Sequence, residues 1–140
     1  MESYPKAIPG TNLPANSLIM FGGTGAAGYL SDVWGSSDNG RTWVQVAANA
    51  FTGTRFPGYT IDSQGRLFKV AGSDTSDVWM STNGVSWTQQ TPGSPATQLP
   101  ARSFPDVQVD SKDVLYVVAG LAPSANGGGL NDGMSSSRQH

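Results

Sequence analysis

Three short apolar runs punctuate the chain: Leu18-Ile19-Met20-Phe21, Leu67-Phe68-Lys69-Val70-Ala71 and Leu115-Tyr116-Val117-Val118-Ala119. Each closes on glycine, at Gly22-Gly23, Gly72 and Gly120. An unbroken apolar run of this length between turn signals predicts a strand buried on both faces, and the closing glycine marks a place where backbones crowd. Before the second and third runs, Tyr59 and Ile61, and likewise Val107 and Val109, alternate with other residues just after Pro57 and Pro105. That period of two predicts a half-buried strand, and the turns Asp62-Ser63-Gln64-Gly65 and Asp110-Ser111-Lys112-Asp113 follow it. After the first and second runs comes Asp32-Val33-Trp34-Gly35-Ser36 or Asp77-Val78-Trp79-Met80-Ser81, then a polar turn holding Asn39-Gly40 or Asn83-Gly84, then Trp43 or Trp87. Asn-Gly is the pair that most readily takes the positive φ angles of a tight hairpin. A third copy begins at Asn131-Asp132 and continues as Gly133-Met134-Ser135.

The repeating unit is thus four short strands. Its third strand recurs at Asp32, Asp77 and Asp132, spacings of 45 and 55 residues, the longer one containing the Gly- and Ser-rich stretch 121–129. Four strands per unit of about 40–50 residues is the pattern of a β-propeller blade. The fold expected is all-β, with propeller-type four-stranded antiparallel blades in an incomplete array of about 2.5–3 per chain. Residues 1–16, with Pro5, Pro9 and Pro14, read as an extended lead-in. Blades are expected over 17–50 (lacking its first strand), 51–95 and 96–136 (lacking its last), with a tail at 137–140. Closed propellers need about four to eight blades, so an arc like this leaves open faces and edges at its ends. The expected partner is a second copy, two chains closing a six-bladed ring with composite blades at the seams. The rival reading is a piece of a longer propeller protein.

The stretch Gly22-Gly23, Tyr29-Leu30-Ser31-Asp32-Val33-Trp34 and Trp43 resembles the kelch blade pattern: a double glycine, a Leu-x-Asp-Val strand and a later Trp. Ser36, Asp38, Gly40 and Trp43 also satisfy the Asp-box (BNR repeat) of sialidase-like propellers, S-x-D-x-G-x-x-W. The second copy keeps Ser81, Gly84 and Trp87 with Asn83 in place of the Asp, one residue shorter. In this resemblance the box residues are structural: the Ser and Asp side chains bond backbone N–H groups within the turn, and the Trp covers it. Trp34 and Trp79, with Gly22, Gly23, Gly72 and Gly120, are expected at the packing between blades.

Composition narrows the function classes. The 140 residues are 37% hydrophobic and 13% charged, with 18 Gly and 9 Pro, a makeup for turns and strands rather than helices. A net charge of −2 with no basic strip gives no electrostatic footprint for nucleic acid or an anionic membrane. No apolar run approaches the roughly 20 residues of a membrane span, and the first residues lack the charged-then-apolar order of a secretion signal. Cytosolic and extracellular locations both remain open. Without cysteine, disulfides and thiolate metal sites are excluded. The one histidine, His140, is terminal, which leaves no His-based triad or metal cluster in the body of the chain. No cofactor, metal or catalytic group is therefore expected.

Two readings of the arginines stand side by side. Arg55-Phe56-Pro57 resembles the Arg-Ile-Pro motif of sialidases, in which the arginine would grip a carboxylate. Yet Arg102-Ser103-Phe104-Pro105 holds the equivalent place one unit later, so the feature repeats with the framework. Turn aspartates could gather calcium, but no D-x-D-x-D-G loop is present, and Gly127-Gly128-Gly129 lacks the helix and Lys of a phosphate loop. The loops that differ between units are the candidate ligand surface: Thr24 and Gly25 in the first, Ser73 and Asp74 in the second, Ser124 and Asn126 in the third. The function expected is a non-catalytic propeller module that binds or scaffolds a protein or glycan, acting as a homo-oligomer. The alternatives are a sialidase-like glycan hydrolase fragment or remnant, and a purely structural self-assembling block.

Overall fold

The computed structural model describes residues 2–72, 75–90, 102–121 and 133–136. In chain order the strands are β1 (Glu2–Tyr4), β2 (Ser17–Phe21), β3 (Thr24–Gly25), β4 (Gly28–Tyr29), β5 (Val33–Ser36) and β6 (Val44–Ala47). Then come β7 (Gly58–Ile61), β8 (Leu67–Gly72), β9 (Thr75–Ser81), β10 (Thr88–Gln89), β11 (Asp106–Val109), β12 (Leu115–Val118) and β13 (Gly133–Ser136). No helix occurs among the described residues. The strands form antiparallel sheets ordered β1-β2-β5-β6, β7-β8-β9-β10 and β11-β12-β13, with β3-β4 as a separate small hairpin, and none closes into a barrel. The fold is all-β, an incomplete array of propeller-type blades.

One expectation fails at the N-terminus. The first sheet does not lack its first strand: β1 pairs with β2 through Glu2 to Ile19, Ser3 to Leu18 and Tyr4 to Ser17. The prolines that mark the lead-in as unpaired all follow Tyr4, so Glu2, Ser3 and Tyr4 keep the N–H donors a ladder needs. Tyr4 is buried and its hydroxyl donates to Thr82 O at 3.0 Å, in the second sheet. Ile8 and Leu13, farther along the same segment, are core residues as well. The complementary missing strands that motivate composite seams are therefore not both present.

Packing between sheets follows one rule, used twice. Alternation along β8 sends Leu67 and Lys69, with Trp79 of β9 opposite Lys69, to one face. Phe68 and Val70, with Met80 and Val78, go to the other face. The first of these faces meets Ile19, Phe21 and Val33 of the first sheet. The second meets Val107, Leu115 and Val117 of the third. An aromatic knot tightens the first contact, with Phe51 edge-on to Phe21 at 5.8 Å and to Trp87 at 5.3 Å, and Phe21 against Tyr59 at 5.3 Å. Because β8 is covered on both sides, its six residues are all buried, as an uninterrupted apolar run requires.

The ends of the second strands share a backbone device. Gly22-Gly23, Ala71-Gly72 and Ala119-Gly120 each take two successive positive φ angles. At Gly72 (φ 94°) an added Cβ would lie 2.6 Å from Thr54 Oγ1 and 2.8 Å from Pro57 Cα, so crowding and conformation both demand glycine. At Gly23 only the conformation does, since nothing lies within 4 Å.

The apolar core also holds a charge. Lys69 is 1% exposed, its Nζ 3.0 Å from Asp77 Oδ1 and 5.9 Å from the centre of the Phe51 ring. Burial pushes the ammonium below its ordinary range while Asp77 pulls it back. Such a pair gains little over an apolar replacement, but stripping one partner strands the other charge. We expect Asp77→Ala to cost about 3–5 kcal/mol in urea unfolding, and the double replacement Lys69→Met with Asp77→Asn, which removes both charges and keeps an acceptor for Trp79 Nε1, to leave the midpoint nearly unchanged.

Candidate functional site

The two Trp-capped turns are built alike. After β5, Ser36 Oγ donates to Asp38 Oδ1 at 2.8 Å and accepts from Gly40 N at 2.9 Å. Asp38 then accepts from Thr42 N at 2.9 Å and from Thr42 Oγ1 at 2.6 Å. Trp43 closes the turn, its indole N–H donating to Gly40 O at 3.1 Å. After β9, Ser81 Oγ accepts from Gly84 N at 2.8 Å, Asn83 Oδ1 accepts from Val85 N and Ser86 N at 2.9 Å each, and Trp87 Nε1 donates to Gly84 O at 3.0 Å. Asn39 and Gly40 both have positive φ, whereas in the shorter second copy only Gly84 does. The Ser36, Asp38, Ser81 and Asn83 oxygens and both indole N–H groups thus bond within their own turns.

Trp34 and Trp79 are half-buried, and each donates its indole N–H to the aspartate two residues earlier, Asp32 or Asp77, at 2.7 Å. Trp79 packs against the core between the first two sheets. The other aspartates serve turns too. Asp62 accepts from Gln64 N and Arg66 N and pairs with Arg66 Nε at 2.6 Å, while Asp113 receives both N–H and hydroxyl of Ser63 across the sheet boundary. No group of three or more potential metal ligands gathers among the described residues.

A second arrangement lies at the opposite end of the sheets, where the second strands finish and the first strands begin. Here the β3–β4 hairpin brings Leu30 to Thr54 through an isolated bridge, which sets Tyr29 beside Arg55. Arg55 lies 4.8 Å from the Tyr29 ring centre and 5.3 Å from that of Phe56. Phe56 stacks on Phe104 with centroids 4.0 Å apart and planes 19° apart, and Phe104 N donates to Phe56 O at 2.9 Å. The two phenyl rings are nonetheless 44% and 51% exposed. A row of ring, guanidinium, ring and ring therefore runs along the rim, flanked by exposed Leu30 and Leu121.

Phe56 (φ 53°) and Phe104 (φ 58°) hold left-handed backbone conformations, and each precedes a proline. Strain of this kind is about 1–3 kcal/mol per residue. The stack returns about 0.5–1.5 kcal/mol and an exposed cation–π contact about 0.5–1 kcal/mol. The row's own contacts, with the Phe104 N–H bond to Phe56 O among them, are of the same order as its strain. A cleft of about 280 Å³ adjoins it between β7 and β11, lined by Pro57, Tyr59, Thr60, Pro105, Asp106 and Gln108.

The sequence places Thr24 and Gly25 on the ligand surface, and the structure puts them in the hairpin that positions Tyr29. Ser73, Asp74, Ser124 and Asn126 lie outside the described residues. The two arginines part company: Arg55 joins the exposed row, whereas Arg102 is fully buried with Nη1 donating to Ala119 O at 2.7 Å. Phe56 and Phe104 are absent from the sequence-derived surface, although their signal is present as a Phe-Pro pair repeated at the same phase of two units.

No protein-family model and no curated protein sequence matches the chain. Among solved structures it is similar to a novel fungal alcohol oxidase of the AA5 family, solved in complex with copper. The TM-score is 0.56 and the identity 15%, over 97% of this chain and 29% of that one. The chain thus spans less than a third of that oxidase, and the likeness is one of fold.

Hydrogen bonds from the Thr42 hydroxyl and N–H and the Ser36 hydroxyl lower the Asp38 carboxyl from 3.8 to about 2. A carboxylate whose folded pKa is depressed adds stability that is full above its unfolded pKa and is lost as pH falls through the folded one. Thermal unfolding should show the melting temperature dropping between pH 4 and pH 2. Asp38→Asn, which keeps the acceptor oxygen as Asn83 does, should flatten that part of the profile.

Proposed function

We propose that this chain is a non-catalytic, kelch-like and Asp-box propeller module that binds a protein or glycan ligand along its rim. The observation that carries the reading is the row of Tyr29, Arg55, Phe56 and Phe104, whose three rings are exposed around a half-buried guanidinium. Flat ring faces and a guanidinium recognise the apolar C–H face of a sugar ring or a proline-rich or aromatic peptide segment, and rings fixed in advance lose little freedom on binding. Loops at this end differ between units while the framework repeats, which suits a recognition surface on a rigid scaffold.

The hydrolase alternative draws no support from the arginines, because Arg55 lies between two rings and Arg102 is buried against Ala119 O. Nor do the residues fit the copper of the structurally similar oxidase. A copper centre of that kind calls for imidazole or thiolate donors, and the chain has one histidine and no cysteine.

Printed arrays of oligosaccharides and of peptides test the reading. The wild-type chain should bind a subset, and Phe104→Ala should weaken those interactions about 3- to 10-fold, while Phe104→Tyr keeps them. Absence of binding on both arrays, or indifference to Phe104→Ala and Phe56→Ala alike, overturns the rim as the binding surface.

A further inference from the structure

Among the described residues, the packing rule between sheets leaves two faces uncovered, one at each end of the array. In the first sheet, register places Leu18 and Met20 with Trp34 on the face turned away from the second sheet. In the third sheet it places Tyr116 and Val118 with Gln108 and Asp106 on the face turned away from the second. Met20 is 41% exposed, and Tyr116 and Val118 are 40% and 43% exposed. These positions correspond to residues that are covered inside the array. Met20 stands where Lys69 stands, each opposite the third-strand tryptophan, and Tyr116 and Val118 stand where Phe68 and Val70 stand. Phe68, Lys69 and Val70 are all at most 3% exposed. The first sheet therefore ends in the kind of face that the second sheet buries against the first, and the third sheet ends in the kind that the second buries against the third.

We infer that the chain associates with a second copy head to tail, the Tyr116/Val118 face of the third sheet packing on the Met20/Trp34 face of the first sheet of its partner. The contact continues an interface the fold already makes twice, with the same strands crossing in the same sense. It joins whole sheets face to face and exchanges no strands, which agrees with β1 being present in the first sheet. Because the two surfaces differ, the contact is heterologous. Two chains of three sheets bring the count to six, within the range at which propellers close.

Light scattering on the purified chain, combined with two single variants, tests this. Wild type should show twice its 14.6 kDa mass, with larger species only if the ring stays open. Met20→Glu and Val118→Glu should each lower the mass to that of one chain. Glutamate is chosen because a lysine at residue 20 would reproduce the buried Lys69–Asp77 pairing beside Asp32. Both positions are exposed in one chain, so circular dichroism and melting temperature should stay close to wild type. The decisive step is mixing. Each variant retains the face the other has lost, so an equimolar mixture should recover a two-chain species that neither forms alone. A wild-type chain that stays monomeric at 100 µM or a mixture that stays monomeric overturns the inference, as does a variant that remains dimeric while folded.

Discussion

A sheet with two apolar faces must be covered on both, and the rest of this molecule follows from that requirement. The second sheet satisfies it completely, with the first sheet on one side and the third on the other. Burial of Leu67, Phe68, Val70 and Ala71 on β8 is possible only because of those neighbours. The aromatic knot of Phe21, Phe51 and Trp87 and the buried tyrosine of β1 belong to the same contact. Stability in such an array is a sum of sheets and of the interfaces between neighbours, so the outer sheets are the weaker members.

Polar turns stand at one end of the sheets and the aromatic row at the other, and their chemistry is opposite. In the Trp-capped turns the serine, aspartate and threonine oxygens bond within the turn, from Ser36 Oγ to Thr42 Oγ1. Along the rim, rings and a guanidinium are held in place yet left in solvent. That division matches the arrangement in which binding loops ride on a rigid β scaffold, and it is what the proposed rim-binding role builds on.

The framework was legible in the chain because it repeats: apolar runs, closing glycines, Asp-Val-Trp strands and Asn-Gly turns recur in phase, and tertiary packing agrees with local pattern. β1 escaped because it is only Glu2 to Tyr4, too short to show a period, beside prolines that argue for the opposite state. Lys69 carried no warning either, since its partner Asp77 lies on the neighbouring strand and a sequence does not display cross-strand register. Phe56 and Phe104 were visible as a repeated Phe-Pro pair, but their left-handed backbone and mutual stacking arise only when two units are laid side by side.

Near-identical units carry a hazard, because any one of them can occupy another's place during folding. At one site on the second strand the three units differ: Met20, Lys69 and Val117. The lysine tolerates burial because Asp77 neutralises it and the Phe51 ring, from the segment between β6 and β7, lies beside it. Moved to an end of the array, the unit would turn that pair toward an open face. A single ammonium group, held between two sheets, thus distinguishes the middle unit from its neighbours.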